Sequence, residues 1–337
     1  MKGESSMLKI GFVGCGNHAT LNIYPVLKFT DIDLVAVCDL KEDLARRNAR
    51  NFGALRWYTD YREMLDKEKL SALFVVIGPK QHYEIAKVAM KDYGLHVFTE
   101  KPPSETVEEV EELVEISEKY NRYLMTAFMK RFATANALLK EAISQPEFGV
   151  PRQYEARYTA HPYNDEKSFL LHHVIHHTDL IRFFMGDVKS LVARKVKGEG
   201  TRFGYQILVE FKSGGTGVIT LNCLESWGSP NERIAIVGDG HLAISENGIF
   251  TWYRNTPIRG LINEPGLDKG HDALTWSQNI SWATLYSNRG YEKEVEHFVR
   301  SALNGVEPKP NAKDALEAMK IMEAIKESAD SGRIVKL

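Results

Sequence analysis

The chain has 337 residues, enough for two hydrophobic cores, and its 43% hydrophobic and 26% charged residues exclude a fibrous or disordered reading. A formal charge of −2, with both signs mixed along the chain, offers no broad field to nucleic acid or to an anionic membrane surface. Cys15, Cys38 and Cys223 are too scattered for a disulfide framework or a zinc cluster and suit a reducing cytoplasm; the start, MKGESSMLKI, has no apolar run that reads as an export signal.

From Leu8 to about Phe128, short apolar runs alternate with helical patterns, as in a parallel sheet covered by helices. The expected strands are LKIGFV, DLVAVC, LSALFVVI, HVFTE and YLMTAF. Between them, QHYEIAKVAMKDYG and SETVEEVEELVEISEKY carry apolar residues at three-to-four spacing, the second behind a Ser or Thr cap. Beyond Pro151 the texture changes: apart from one histidine-rich helical stretch, RQYEARYTA, GYQILVEFK, GTGVITLNC and ERIAIVG read as strands joined by Gly-containing turns. This predicts an α/β domain over residues 1–130 and an antiparallel α+β domain over 131–337. The closing segment NAKDALEAMKIMEAIKESADSGRIV reads as an amphipathic helix, which is expected to pack back on the first domain.

The strand LKIGFV runs into Gly14-Cys15-Gly16-Asn17-His18-Ala19 and then a helical pattern, a G-x-G-x-x-A turn in the context that a Rossmann dinucleotide site requires. Gly14 permits the tight turn, Gly16 lets backbone amides approach a pyrophosphate, and Ala19 allows close helix-to-strand packing. The next strand ends in Asp39, whose carboxylate can accept from ribose hydroxyls and repels a ribose phosphate, which favours NAD. Lys41 works the other way and leaves NADP possible.

After the fourth strand comes Glu100-Lys101-Pro102. With IGFVGCGNHA, IGPKQHYEIA, MTAFMKRF and ESADSGRIVKL, this turn makes the chain resemble the Gfo/Idh/MocA oxidoreductases along nearly its whole length. The resemblance implies a Rossmann domain joined to an open, mostly antiparallel sheet used for homo-oligomerisation, as a dimer or tetramer, with the active site in a cleft between the domains. It further implies hydride transfer between nicotinamide and a sugar, polyol or derivative. Lys101 matches the catalytic lysine, His176 the histidine of an H-x-x-D pattern completed by Asp179, and Pro79 and His82 a loop near the nicotinamide. The chemistry is consistent: oxidising a carbinol removes its hydroxyl proton, so a base and a cation at that oxygen both help.

Where relatives carry an aspartate four residues before the motif histidine, this chain has His172, one helical turn from His176. A second imidazole offers one acceptor where a carboxylate offers several, so His172 is a substrate-binding candidate with altered proton chemistry. Arg157 and Tyr163 are further substrate-binding candidates, with Tyr158, His161 and Asn164 beside them; the ring of Trp227, Trp252 or Trp276 could stack on a sugar. The two i, i+4 histidine pairs of His172 to His177 lack an H-E-x-x-H glutamate, and no metal is expected. Two other functions fit the residues, a catalytically silent dinucleotide-binding regulator and a reductase of a non-sugar substrate.

Overall fold

Strands that are apolar on both faces need helices above and below them, and the first part of the chain builds such a layer. The computed structural model describes residues 7–225, 231–257, 269–277 and 289–337, so that Trp227 lies outside the described residues. Two compact units are formed, Met1–Met129 with Gly290–Met319, and Lys130–Arg289 with Lys320–Leu337. The helix Ala312–Ser331 therefore contributes residues to both.

Among the described residues of the first unit, β1 (Leu8–Val13), β2 (Ile32–Cys38), β3 (Arg56–Tyr58), β4 (Ala72–Val75), β5 (His96–Glu100) and β6 (Leu124–Ala127) form a parallel sheet in the order β3-β2-β1-β4-β5-β6. The order reverses direction between β1 and β4, which in such sheets is where ligands bind beyond the strand ends. The β3 strand is absent from the expected set. Two of its three residues are exposed, so it carries almost no hydrophobic pattern to read.

Parallel register explains the core. Phe12, Phe74 and Phe98 are cross-strand neighbours on β1, β4 and β5, and their rings stack at 5.6 and 4.7 Å. Phe298, from the helix Tyr291–Asn304, meets Phe74 edge-on at 5.4 Å, which ties this late segment into the first unit. Each such ring pair contributes about 0.5–1.5 kcal/mol beyond its buried area. The surface helices follow their end signals: Pro79 opens Pro79–Lys91 at the first turn, Thr106 caps Val107–Tyr120 by accepting from Glu109 N at 3.3 Å, and Asn311 and Asp314 cap the last helix reciprocally.

The second unit has nine strands among its described residues: β7 (Gln153–Thr159), β8 (Val188–Lys197), β9 (Phe203–Phe211), β10 (Thr216–Asn222), β11 (Asn231–Val237), β12 (Leu242–Glu246), β13 (Ile249–Pro257), β14 (Lys269–Trp276) and β15 (Val335–Lys336). Their order is β14-β13-β12-β11-β7-β10-β9-β8-β15, antiparallel throughout except for the parallel β7–β10 pair. Alternation is plain in β7, where Tyr154, Ala156 and Tyr158 are buried while Gln153, Glu155 and Arg157 are exposed. Against its inner face lies a continuous helical stretch made of Glu166–Phe169, a π turn over Leu170–Val174, and Ile175–Met185. Among the described residues, no helix is long and apolar enough to cross a membrane.

Candidate functional site

The glycine loop is built as a cradle. At Gly14 φ is +110°, and a Cβ there would sit 2.1 Å from the Val76 carbonyl oxygen, so only glycine fits. At Gly16 an added Cβ would meet no atom within 4 Å, which leaves that side of the loop open for a phosphate group to approach. Cys15 is buried, burial pushes its thiol up to about 11, and its N–H donates to Asp39 Oδ2 at 2.8 Å. Asp39 Oδ1 accepts from Lys41 N at 2.9 Å. With one backbone donor on each oxygen, the half-buried Asp39 is held in place and keeps lone pairs for ribose hydroxyls, so these residues fit a dinucleotide.

Beyond the loop, Asn17 and His18 are exposed and open the helical stretch that continues through the π turn Ala19–Ile23. His18 Nε2 reaches Glu100 Oε1 at 2.9 Å, and Glu100 Oε2 accepts from Lys101 N at 3.1 Å. Burial pushes the Glu100 carboxyl up, but the charge and hydrogen bond of His18 and the charge of Lys101 bring it below its ordinary value. His82 is fully inside. The Ile77 N–H donates to its Nε2 at 3.2 Å, which leaves the Nδ1 proton to be given to the Pro102 carbonyl at 2.8 Å. His82 thus ties the loop after β4 to the Lys101-Pro102 turn, while Pro79 stands half-buried at the start of its helix.

In the second unit, the helix that carries the histidines includes a π turn over Leu170–Val174. His172 and His176 are one turn apart, yet His172 is exposed and His176 is buried, its ring edge-on to Tyr158. His173 and His177, likewise four residues apart, both stack on the Tyr158 ring, at 3.8 and 4.6 Å. Glu232 joins this cluster from β11, accepting from His177 Nε2 and from Lys130 Nζ, each at 2.8 Å, while Lys130 lies 4.4 Å above the Tyr158 ring. Burial pushes Glu232 up, yet Lys130 and His177 hold it down at about 2. Burial takes His173 down to about 3 and lowers His177 as well, so both rings are neutral at pH 7.

Asp179 is 1% exposed, and Arg131 Nε and a terminal nitrogen hold its two oxygens at 2.8 and 2.6 Å. This pairing anchors Asp179 to Arg131. Arg157 is paired with Glu225, and Tyr163, half-buried, stacks on His161 at 5.3 Å. Trp252 is buried, its indole N–H directed at His241, and Trp276 is half-buried on β14. Among the described residues, no three of His, Cys, Asp and Glu come together as a metal ion would need.

Known proteins supply the assignment. The model of an oxidoreductase family with an NAD-binding Rossmann fold matches residues 8–128, and that of its C-terminal alpha/beta domain matches residues 140–337. The chain belongs to this oxidoreductase family. It is a nicotinamide-dependent oxidoreductase whose first unit binds NAD. The oxidoreductase is 26% identical to the myo-inositol 2-dehydrogenase of Thermotoga maritima over 98% of both chains. It is 23% identical to the D-apiose dehydrogenase of Paraburkholderia graminis over 98% of this chain and 89% of that one. A crystal structure of a dehydrogenase from Chromobacterium violaceum shares the fold, with a TM-score of 0.88, 23% identity, and 97% and 96% of the two chains covered.

Sequence reasoning missed Lys130, Glu232, His173 and His177 as a cluster of the oxidoreductase. The i, i+4 spacing of the two histidines was the only signal, since Glu232 lies 102 positions from Lys130 and 55 from His177.

Proposed function

We propose that the oxidoreductase oxidises a ring secondary alcohol of a cyclic sugar or polyol, with Lys101 and His176 as its catalytic residues. The substrate class rests on the dehydrogenases of myo-inositol and D-apiose to which nearly the whole chain is similar. The observation that carries the catalytic reading is the place of Lys101: it follows directly from the C-terminal end of β5, and its backbone is bonded through Glu100 to the glycine loop. NAD, held by Gly14, Cys15, Gly16, Asn17, His18 and Asp39, supplies the hydride acceptor. Lys101 donates positive charge to the alkoxide that develops as the hydroxyl proton leaves, and His176 takes that proton as base. Glu100 fixes the lysine's backbone, and Pro79, His82 and Pro102 shape the turn around the cofactor. His172, exposed beside the buried histidines, binds a substrate hydroxyl, with Arg157 and Tyr163 as further contacts, and Asp179 holds the helix through Arg131.

The test is NAD⁺ reduction followed at 340 nm on a panel of myo-inositol, D-glucose and other cyclic polyols. Lys101→Met should lower kcat by about a hundredfold or more with little change in NADH affinity, and His176→Asn should lower it comparably. Near-normal kcat in either variant removes that residue from the reaction.

The same reading makes the chain a cytoplasmic homo-oligomer. Cys15, Cys38 and Cys223 are buried free thiols, in keeping with a reducing compartment. Leu208 and Val218, cross-strand partners on the second sheet, are each more than half exposed and suit a contact with a second copy. Light scattering that gives the mass of a single chain contradicts the oligomer.

A further inference from the structure

Three elements of the first unit meet at His18. Its Nε2 bonds Glu100 Oε1 at 2.9 Å across 82 positions of sequence, Asn22 Nδ2 lies 3.3 Å from Nδ1, and the Tyr291 ring stands edge-on at 5.8 Å. With the Asn22 amide donating to Nδ1, the Nε2 proton is the one given to Glu100. The Glu100 side chain is 7% exposed, so its carboxylate has little water to turn to, and its second oxygen accepts the Lys101 N–H at 3.1 Å. One carboxylate thus joins the glycine loop to the backbone of the lysine turn. If His18 lets go, a nearly buried Glu100 oxygen loses its donor, and a buried acceptor in that state rotates to find another.

We propose that His18 is a positioning residue for Lys101, acting through Glu100: it holds the carboxylate in the one orientation that also fixes the Lys101 amide. This rests on the reading of Lys101 as catalytic. The glycine loop, where the dinucleotide binds, and the turn that presents the lysine then move as one piece.

Two measurements test it on the full chain. Amide hydrogen exchange without cofactor reads the bridge directly: His18→Ala should speed exchange of the Lys101 N–H several-fold, and His18→Gln, whose amide can still donate to Glu100, should restore most of the protection. In steady-state turnover on the panel above at saturating NAD⁺, so that any loss of cofactor affinity is set aside, His18→Ala should lower kcat by about tenfold while the sugar KM stays within about twofold, and His18→Gln should regain most of that loss. The double variant with Glu100→Gln should be no worse than the poorer single one, since both break one bridge.

Unchanged exchange at Lys101 in His18→Ala overturns the proposal, as do additive losses in the double variant or a loss that lies wholly in NADH affinity. If Lys101→Met keeps its kcat, the reading of Lys101 fails even where exchange shows the bridge. If Lys101→Met is defective and His18→Ala is normal in both measurements, only the positioning role fails.

Discussion

In the first unit Asp39 is half-buried and takes one backbone N–H on each oxygen; in the second, Asp179 is buried and both its oxygens are held by one guanidinium. The contrast extends to their surroundings. Around Asp39 the fixed partners are main-chain groups of a loop whose shape Gly14 dictates, so the carboxylate is oriented while still open to a ligand. Around the histidine helix the fixed partners are side chains from distant strands and turns, Arg131 for Asp179 and Glu232 with Lys130 for His177. A ligand half made of backbone tolerates change in its side chains. A half made of buried charge pairs does not, because removing one partner strands the other in a medium that cannot solvate it.

The sharpest break of this contrast is Arg131→Met. It leaves Asp179 buried without its cation and should lower unfolding stability by about 3–5 kcal/mol in urea melts. A loss below about 1 kcal/mol would mean that Asp179 finds water or another donor, and the distinction between the two halves would weaken.

Acid should find the same weak half next. His173 is held neutral in the folded chain, at about 3, by burial, and His177 is lowered likewise. Unfolded, each titrates near the ordinary value of about 6.5. Between those values the unfolded chain binds the extra protons, so stability is complete above about pH 6.5 and falls as the pH drops toward 3. His173 alone should cost about 2 kcal/mol at pH 5 relative to pH 7. His173→Phe keeps a ring between Tyr158 and Phe169 and should flatten that slope; an unchanged slope assigns the acid loss elsewhere.

How far these differences could be read from sequence follows from the same physics. The glycine turn, Asp39, the Thr106 cap and strands β1, β2, β4 and β5 are local, each set by residues a few positions apart, and periodicity exposes them. The β3 strand, with two exposed residues of three, and the edge strands β14 and β15 owe their existence to a neighbour in the sheet. The histidine helix was legible as a helix, but neither its π turn nor the choice of pair was: His173 and His177 lie on Tyr158 while His172 is exposed. The partners that decide what those histidines do lie 15 to 55 positions away.

A smaller effect sharpens the open half. Asp39→Ala should weaken NADH by about tenfold and narrow its advantage over NADPH, since the variant loses both the ribose acceptor and the charge that opposes a phosphate. Isothermal titration with both cofactors checks it. Wild-type protein that binds NADPH as tightly as NADH would show that Lys41 outweighs Asp39.

Direct hydride transfer between a ring carbinol and the bound nicotinamide is the step on which the proposed function rests. Its most direct test uses a substrate from the panel deuterated at the reacting carbon, with mass spectrometry of the NADH formed. The NADH formed should carry one deuterium, and turnover should be slower than with the unlabelled compound. NADH without deuterium, or tight NADH binding with no turnover of any member of the panel, would contradict it.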